Sequence, residues 1–352
     1  MLTNPITRRL VTIPAVFALL VVLSALSPLL VLVGGTLDVV RVPRGKSWVT
    51  LRALAFLWVY LVGEVWAVAA LLATAPLPGG RKTDVIFHLQ ERWASWNLRA
   101  LEILFALEIS VEGEDALLPG PVVVLSRHAS MVDTLLPATI ITRRAGLKLR
   151  YVLKNELLVD PALDLAGNRL PNVFIDRTSG DSSVRNAIRE LARDLGPEDG
   201  ILIYPEGTRF TESKLKRAQR HPDQDAPAEV TAGLRRVLPP RPGGTLAILE
   251  VADADVVVLA HQGLEGFGDG ARDLGRRFGR LPDLGPDVAC EAHRDPSREG
   301  GTCCLAVPTV ERDRRLGHLQ GVLMTPDTRA GSRSRHNGRA RRAAYEAAPG
   351  SR

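Results

Sequence analysis

The chain has 352 residues, with 45 Lys or Arg against 39 Asp or Glu, and 45% of its residues are hydrophobic. That length and balance exclude a wholly disordered or fibrous chain and leave room for one large or two ordinary domains. Three cysteines exclude a disulfide scaffold and a four-cysteine metal site.

The net charge of +6 is unevenly spread: from Gly285 onward there are 12 Arg, no Lys and 8 acidic residues, a balance of +4. The 284 residues before that point hold 33 basic and 31 acidic residues, a balance of +2. A basic excess confined to one end is not the clustered face that nucleic-acid binding requires, so no nucleic-acid partner is expected.

The first 80 residues carry a membrane signal. No residue from Leu10 to Leu37 is charged. Its apolar core, Val11 to Val33, would reach about 35 Å as a helix, enough to cross the hydrocarbon of a bilayer. Pro14 and Pro28 predict a kink rather than a break. A second stretch runs from Ala53 to Gly80, with Glu64 as its only charge and with Trp48, Trp58, Tyr60 and Trp66 in or beside it. A buried hairpin in a soluble core is one alternative. A cleaved signal peptide is another, and Arg8 and Arg9 favour it. The apolar run, however, exceeds the ~7–15 residues of such a peptide and has no evident cleavage site. The reading is a membrane-anchoring helical hairpin over 1–80. Basic residues on both flanks and in the loop leave its orientation open.

Ile86, Leu89, Trp93, Trp96, Ala100, Ile103 and Leu107 recur at spacings of three and four, so Asp84 to Leu107 is predicted to be an amphipathic helix. From Ile109 to His261 short apolar runs predict buried strands at Pro121–Ser126, Arg150–Leu153, Asn172–Asp176, Gly200–Tyr204 and Asp255–Ala260. Helices are predicted near Thr134–Ala145, Ser182–Leu195 and Ala228–Val237, and a surface loop over Lys214–Pro227. Strands separated by helices imply an α/β class, with a mostly parallel sheet flanked by helices over 81–284. Residues 285–352 lose apolar periodicity and read as a disordered or atypical basic tail. Translation in a shifted frame would account for such a tail, and re-reading the encoding nucleotides tests that.

Three clusters can carry chemistry. Ser126-Arg127-His128-Ala129-Ser130-Met131-Val132-Asp133 follows a predicted strand. His128 and Asp133 are a candidate base and the carboxylate that orients it. In one continuous helix residues five apart lie about 140° apart. The pair therefore needs His128 in the turn and Asp133 in the first helical turn. Ser130 and Asp133 have the spacing of a capping box, which permits that start, and a cap alone would also explain them. Tyr204-Pro205-Glu206-Gly207-Thr208-Arg209-Phe210 ends another strand, offering a Gly for close approach, a hydroxyl and a guanidinium fork for phosphate. Phe174-Ile175-Asp176-Arg177 ends a third. The bland reading of the last two is a solvated acid–base pair in a turn. A parallel sheet would bring all three clusters to one edge, where ligands bind in open α/β sheets.

This ordered set, behind an apolar hairpin, resembles the glycerophospholipid acyltransferase family over roughly residues 84–267. The resemblance implies His128 as general base and Asp133 as its partner. It implies Arg177, Glu206, Gly207, Thr208 and Arg209 as glycerol-phosphate binders, with Lys154 of Lys154-Asn155-Glu156-Leu157 adding charge there. It implies transfer of an acyl group from acyl-CoA or acyl carrier protein to 1-acyl-glycerol 3-phosphate. Glycerol 3-phosphate or another lysophospholipid is the alternative acceptor, and a catalytically inactive lipid-binding protein the alternative class. No metal or redox cofactor is implied, and no Cys lies near the motifs to act as nucleophile. The expected location is the cell membrane, with the catalytic part on the cytoplasmic side; the oligomeric state stays open. Two departures stand out. Arg127 replaces the family's usual Asn and points to a different head group or an added phosphate. Val256–Gly263 reads VVVLAHQG where the family usually has a Pro-containing strand.

Overall fold

A computed structural model of the chain describes residues 4–42, 48–113, 117–176, 181–221, 228–264, 302–306 and 309–310. Helix α1 spans Pro5–Ala25 and α2 spans Ser27–Arg41. The Asn4 carboxamide oxygen caps α1 by accepting from the N–H of Ile6 at 2.8 Å, and Pro5 opens the helix where its missing N–H costs nothing. The interruption between the helices is confined to Leu26. Its N–H still donates to Val22 and its carbonyl still accepts from Leu30, both at 2.9 Å. Pro28 removes one N–H from the ladder just beyond, which places the predicted kink there, while Pro14 lies inside α1 without ending it.

Helix α3, Val49–Ala73, starts without a capping side chain of its own. The buried Asp38 of α2 supplies one, accepting from the N–H groups of Thr50 at 3.0 Å and Leu51 at 2.9 Å. Helices α1 and α3 are each long and apolar enough to cross a membrane by length and composition, with 11% and 33% of their most apolar windows inside the folded chain. Most of each window is thus not buried. The apolar side chains of α2, including Leu29, Leu32 and Val39, are also exposed. Helix α4, Gly79–Phe105, is the predicted amphipathic helix, begun earlier than its first apolar residue.

The start of α1 and the middle of α3 are bolted to the α6 segment, Pro161–Gly167 with its cap Asp160. Arg8 and Arg9 both fork onto the fully buried Asp164, at 2.8–3.1 Å. The Tyr60 hydroxyl donates to Asp160 at 2.7 Å, and the N–H of Ala162 donates to Glu64 at 2.8 Å. Around them Val68, Leu71, Ile86, Phe87 and Leu165 form one apolar cluster. Asp164→Ala would take the carboxylate away from two partly buried guanidinium groups, and a loss of about 3 kcal/mol is expected. Denaturation of the detergent-solubilised variant checks this.

The strands are β1 Glu108–Glu112, β2 Val122–Ser126, β3 Lys148–Lys154, β4 Val173–Ile175, β5 Asp199–Ile203, β6 Asp255–His261, β7 Thr302–Ala306 and β8 Thr309–Val310. Their order is β1-β7-β6-β2-β5-β3-β4, with β8 also on β6. Strands β6, β2, β5, β3 and β4 are all parallel, and β7 and β8 run antiparallel to β6. The five predicted strands are these five parallel ones. Alternate residues of β2 enter different cores: Val122 and Val124 pack on one face of the sheet, Val123 and Leu125 on the other. A strand covered on both faces must be apolar throughout, which is why Val122–Leu125 does not alternate. Strands β7 and β8 belong to the stretch left without predicted structure. The rest of that tail, with Cys290, lies outside the described residues.

Three helix expectations change. Thr134–Ala145 is not one α-helix but a 3-10 turn at Val132–Thr134, a π turn at Ala138–Thr142 and the short α5, Arg143–Ala145. Pro137 stands in its first turn and removes the bond that a regular helix would need from residue 137. The first half of the predicted loop Lys214–Pro227 is instead part of α8, Glu212–Arg220. Thr211 caps it by accepting from the Lys214 N–H at 3.3 Å, Glu212 sits in its first turn and Arg217 and Arg220 in its last. Its one buried residue, Leu215, meets Leu234 and Leu238, so apolar periodicity was too sparse to register. Residues 222–227 lie outside the described residues. Helices α7, Asp181–Leu191, and α9, Ala228–Gly233, are shorter than predicted. Helix α10, Pro242–Leu249, was unpredicted because Pro-Gly-Gly reads as a turn. A Cβ on Gly244 would come within 2.8 Å of Ile203, so the glycine lets α10 press onto β5.

Candidate active site

Strand β2 lies between β6 and β5, so the segments leaving these three strands converge. Beyond β2 come Arg127 and His128, beyond β5 comes Tyr204 to Phe210, and His261 ends β6. The loop from Glu206 to Phe210 is pinned to the backbone of His128 at both ends. The His128 N–H donates to Glu206 Oε1 at 3.1 Å, and the Phe210 N–H donates to the His128 carbonyl at 2.7 Å. Gly207, Thr208 and Arg209 therefore arch beside His128. The arch needs a left-handed turn, with φ of 64° at Gly207.

His128 Nδ1 lies 3.0 Å from Asp133 Oδ1, and the His128 side chain is 14% exposed. A carboxylate at Nδ1 places the hydrogen there and leaves Nε2 as an acceptor. The other oxygen, Oδ2, accepts from the N–H groups of Ala129 at 2.5 Å and Ser130 at 2.7 Å, and Ser130 Oγ accepts from the Asp133 N–H at 3.3 Å. This reciprocal pattern is the predicted capping box, and it serves the base–carboxylate pair at the same time. Burial would raise the Asp133 carboxyl, but its bonds and charge interactions with His128 and His261 pull it down to about 2. The ring of His128 also packs on Tyr204, with centroids 4.6 Å apart, and burial raises the Tyr204 phenol well above its usual range.

Glu206 is buried, and its second oxygen accepts from the Leu238 N–H at 2.9 Å. Burial raises its carboxyl, and the two backbone donors, Arg127 and His128 pull the other way. Both oxygens thus hold chain. Glu206→Gln would turn one acceptor into a donor facing an N–H, at a cost of about 1–3 kcal/mol. Equilibrium unfolding measures that loss directly.

Arg209 is partly buried and, among the described residues, its guanidinium has no hydrogen-bond partner. Lys214 Nζ donates to Thr208 Oγ1 at 3.0 Å and to the Arg209 carbonyl at 2.9 Å, bringing a second cation to the arch. Sequence reasoning missed Lys214, whose only signal was a position five residues past the motif Arg. Lys154 closes β3, two strands from β2 in the sheet. Arg177 lies outside the described residues. Arg127 does not present its fork to a ligand. Its Nη1 donates to the His261 carbonyl at 2.6 Å, and its Nη2 and Nε donate to the Arg236 carbonyl at 2.6 and 3.1 Å. The expectation that Arg127 meets a head group or an added phosphate is therefore corrected: main-chain oxygens occupy it.

Three comparisons with known proteins bear on the family and the fold. Residues 108–259, from β1 to β6, match the Acyltransferase family model. A 1-acyl-sn-glycerol-3-phosphate acyltransferase of Pseudomonas aeruginosa is 25% identical over 175 residues, which cover 49% of this chain and 65% of that protein. The chain thus spans just under two thirds of that relative. The fold is similar to the crystal structure of the 1-acyl-sn-glycerophosphate (LPA) acyltransferase from Thermotoga maritima, with a TM-score of 0.50 and 14% identity over 80% of this chain and 92% of that one.

Proposed function

From the match of residues 108–259 to the Acyltransferase family model and the likeness to a 1-acyl-sn-glycerol-3-phosphate acyltransferase, we propose that the chain is a glycerophospholipid acyltransferase that moves a fatty acyl group from a thioester to the free hydroxyl of 1-acyl-glycerol 3-phosphate, giving phosphatidic acid. One observation carries the reading: a partly exposed imidazole whose Nδ1 is held by a buried carboxylate, beside an arch that ends in a cation. His128 Nε2 takes the acceptor's hydroxyl proton as that oxygen attacks the thioester carbonyl. The new C–O bond forms, the C–S bond breaks, and the proton passes from His128 to the leaving thiolate. Donor and acceptor meet directly, without an acyl-enzyme.

The phosphate of the acceptor sits on the arch, with Arg209 as its fork, Thr208 as a donor and Lys214 as a point charge. Gly207 admits it to the backbone. Glu206 acts through His128, holding the arch rather than the substrate. Lys154, which closes β3, adds to the positive field. Arg209→Ala should raise the KM for the phosphorylated acceptor about tenfold or more and change kcat little, which steady-state kinetics on mixed micelles would establish.

The exposed apolar faces of α1, α2 and α3 support a membrane location. An enzyme held there meets a lysophospholipid without extracting it into water. The donor, acyl-CoA or acyl carrier protein, is soluble and anionic, which puts the catalytic face on the cytoplasmic side. The reading is tested by supplying membranes that contain the protein with each donor and with lysophosphatidic acid, glycerol 3-phosphate or lysophosphatidylcholine. Phosphatidic acid as the main product supports it. Another acylated product moves the acceptor, and binding of lysophosphatidic acid without thioester consumption removes the enzyme class.

A further inference from the structure

We propose that His261 is a positioning residue of this site, locked in place by Arg127 and holding the second oxygen of Asp133. The proposal rests on the acyltransferase reading above. His261 Nε2 lies 3.4 Å from Asp133 Oδ2 and 3.2 Å from the Arg127 carbonyl oxygen. Both neighbours are acceptors, so Nε2 carries a hydrogen and shares it between them. Arg127 returns the contact, its Nη1 donating to the His261 carbonyl at 2.6 Å. The side chain of each residue thus binds the main chain of the other, across the junction of β2 and β6. The Arg127 guanidinium is backed by the Phe210 ring, 5.8 Å from its centroid.

Packing alone does not explain the histidine. The residue is 2% exposed, and its Nδ1 has no hydrogen-bond partner among the described residues. An orphaned ring nitrogen in that position is a cost that an apolar side chain would avoid. The other nitrogen must then supply the reason, and it faces the carboxylate that orients the base. The two places where the chain departs from the family's pattern, Arg127 and the Ala-His-Gln stretch after β6's valines, are in contact and form one brace.

The brace has two consequences. It fixes the rotation of the Asp133 carboxylate, so that Oδ1 stays on His128 Nδ1. It also draws charge toward Oδ2. The ionisable groups around this pair are His128 and Arg127 beyond β2, and Tyr204 and Glu206 beyond β5. Without the His261 donor, Asp133 would grip the protonated ring of His128 more strongly and slow return of the proton to the thiolate.

The test compares wild type, His261→Leu and His261→Gln with lysophosphatidic acid and acyl-CoA across pH 5–9. His261→Leu is expected to lose about tenfold in kcat with KM nearly unchanged, and the acid limb of kcat/KM should move upward by about one pH unit. The Gln amide reaches the Nε2 position and should restore both readouts to within about threefold of wild type. If the leucine variant does not fold, His261→Asn replaces it, since its shorter amide reaches only the Nδ1 position; Gln must then exceed Asn about tenfold in kcat. Unchanged kinetics in His261→Leu, or equal activity of Gln and Asn, would overturn the positioning role while the wild type remains active. A wild type that forms no acylated lipid would instead overturn the acyltransferase reading.

Discussion

Replacing His128 by alanine is expected to lower acyl transfer about 10²–10⁴-fold while the protein stays folded. The chemistry removed is the proton transfer itself, since among the described residues the other imidazole facing Asp133, His261, is 2% exposed and is buried away from a hydroxyl. The fold survives because both interactions that pin the Glu206–Phe210 arch use the backbone of residue 128, not its ring. The ring itself packs on Tyr204 and bonds Asp133. Measured rates should therefore fall with little change in the unfolding midpoint or in the KM for the acceptor. A large fall in stability would mean that the ring is structural instead.

Asp133→Asn should be comparably damaging, on the order of 10⁴ by analogy with the same change in a histidine-based triad. The reason is directional. The N–H groups of Ala129 and Ser130 and the Nε2–H of His261 all converge on Oδ2. An asparagine must present its oxygen to them and so turns its NH₂ toward His128 Nδ1. That forces Nδ1 to accept and Nε2 to carry the hydrogen, which removes the base. Stability changes with a definite sign. Asp133 is held at about 2 against an ordinary 3.8. A carboxyl lowered in the folded state stabilises it above the unfolded value, by about 2 kcal/mol, and loses that contribution as pH falls from about 4 to about 2. Unfolding followed at several pH values should show this acid-labile component in wild type and not in Asp133→Asn.

Much of this was legible in the sequence because local and tertiary demands coincide there. All five parallel strands announced themselves, since a strand covered on both faces cannot hide its apolar run, as Val122–Leu125 shows. The base–carboxylate pair was legible because Ser130 and Asp133 encode the start of the turn that brings position 133 back to position 128. What was not legible depends on distant partners. The break of Thr134–Ala145 follows from Pro137 within an otherwise helical pattern. The helix at Glu212–Arg220 buries only Leu215, against residues some twenty positions on. Arg127 looked like a ligand cation, and only the carbonyls of Arg236 and His261, more than a hundred residues away, show otherwise. His261 itself carried no motif.

The most direct measurement supplies equal amounts of wild type and His128→Ala, in membranes, with acyl-CoA or acyl carrier protein thioester and lysophosphatidic acid, and identifies the lipid products by mass. The expected result is phosphatidic acid formed stoichiometrically with free thiol by the wild type and nearly absent from the variant. Equal product from both, or thiol release without an acylated lipid, would contradict the assignment of His128 as the base of an acyl transfer to this acceptor.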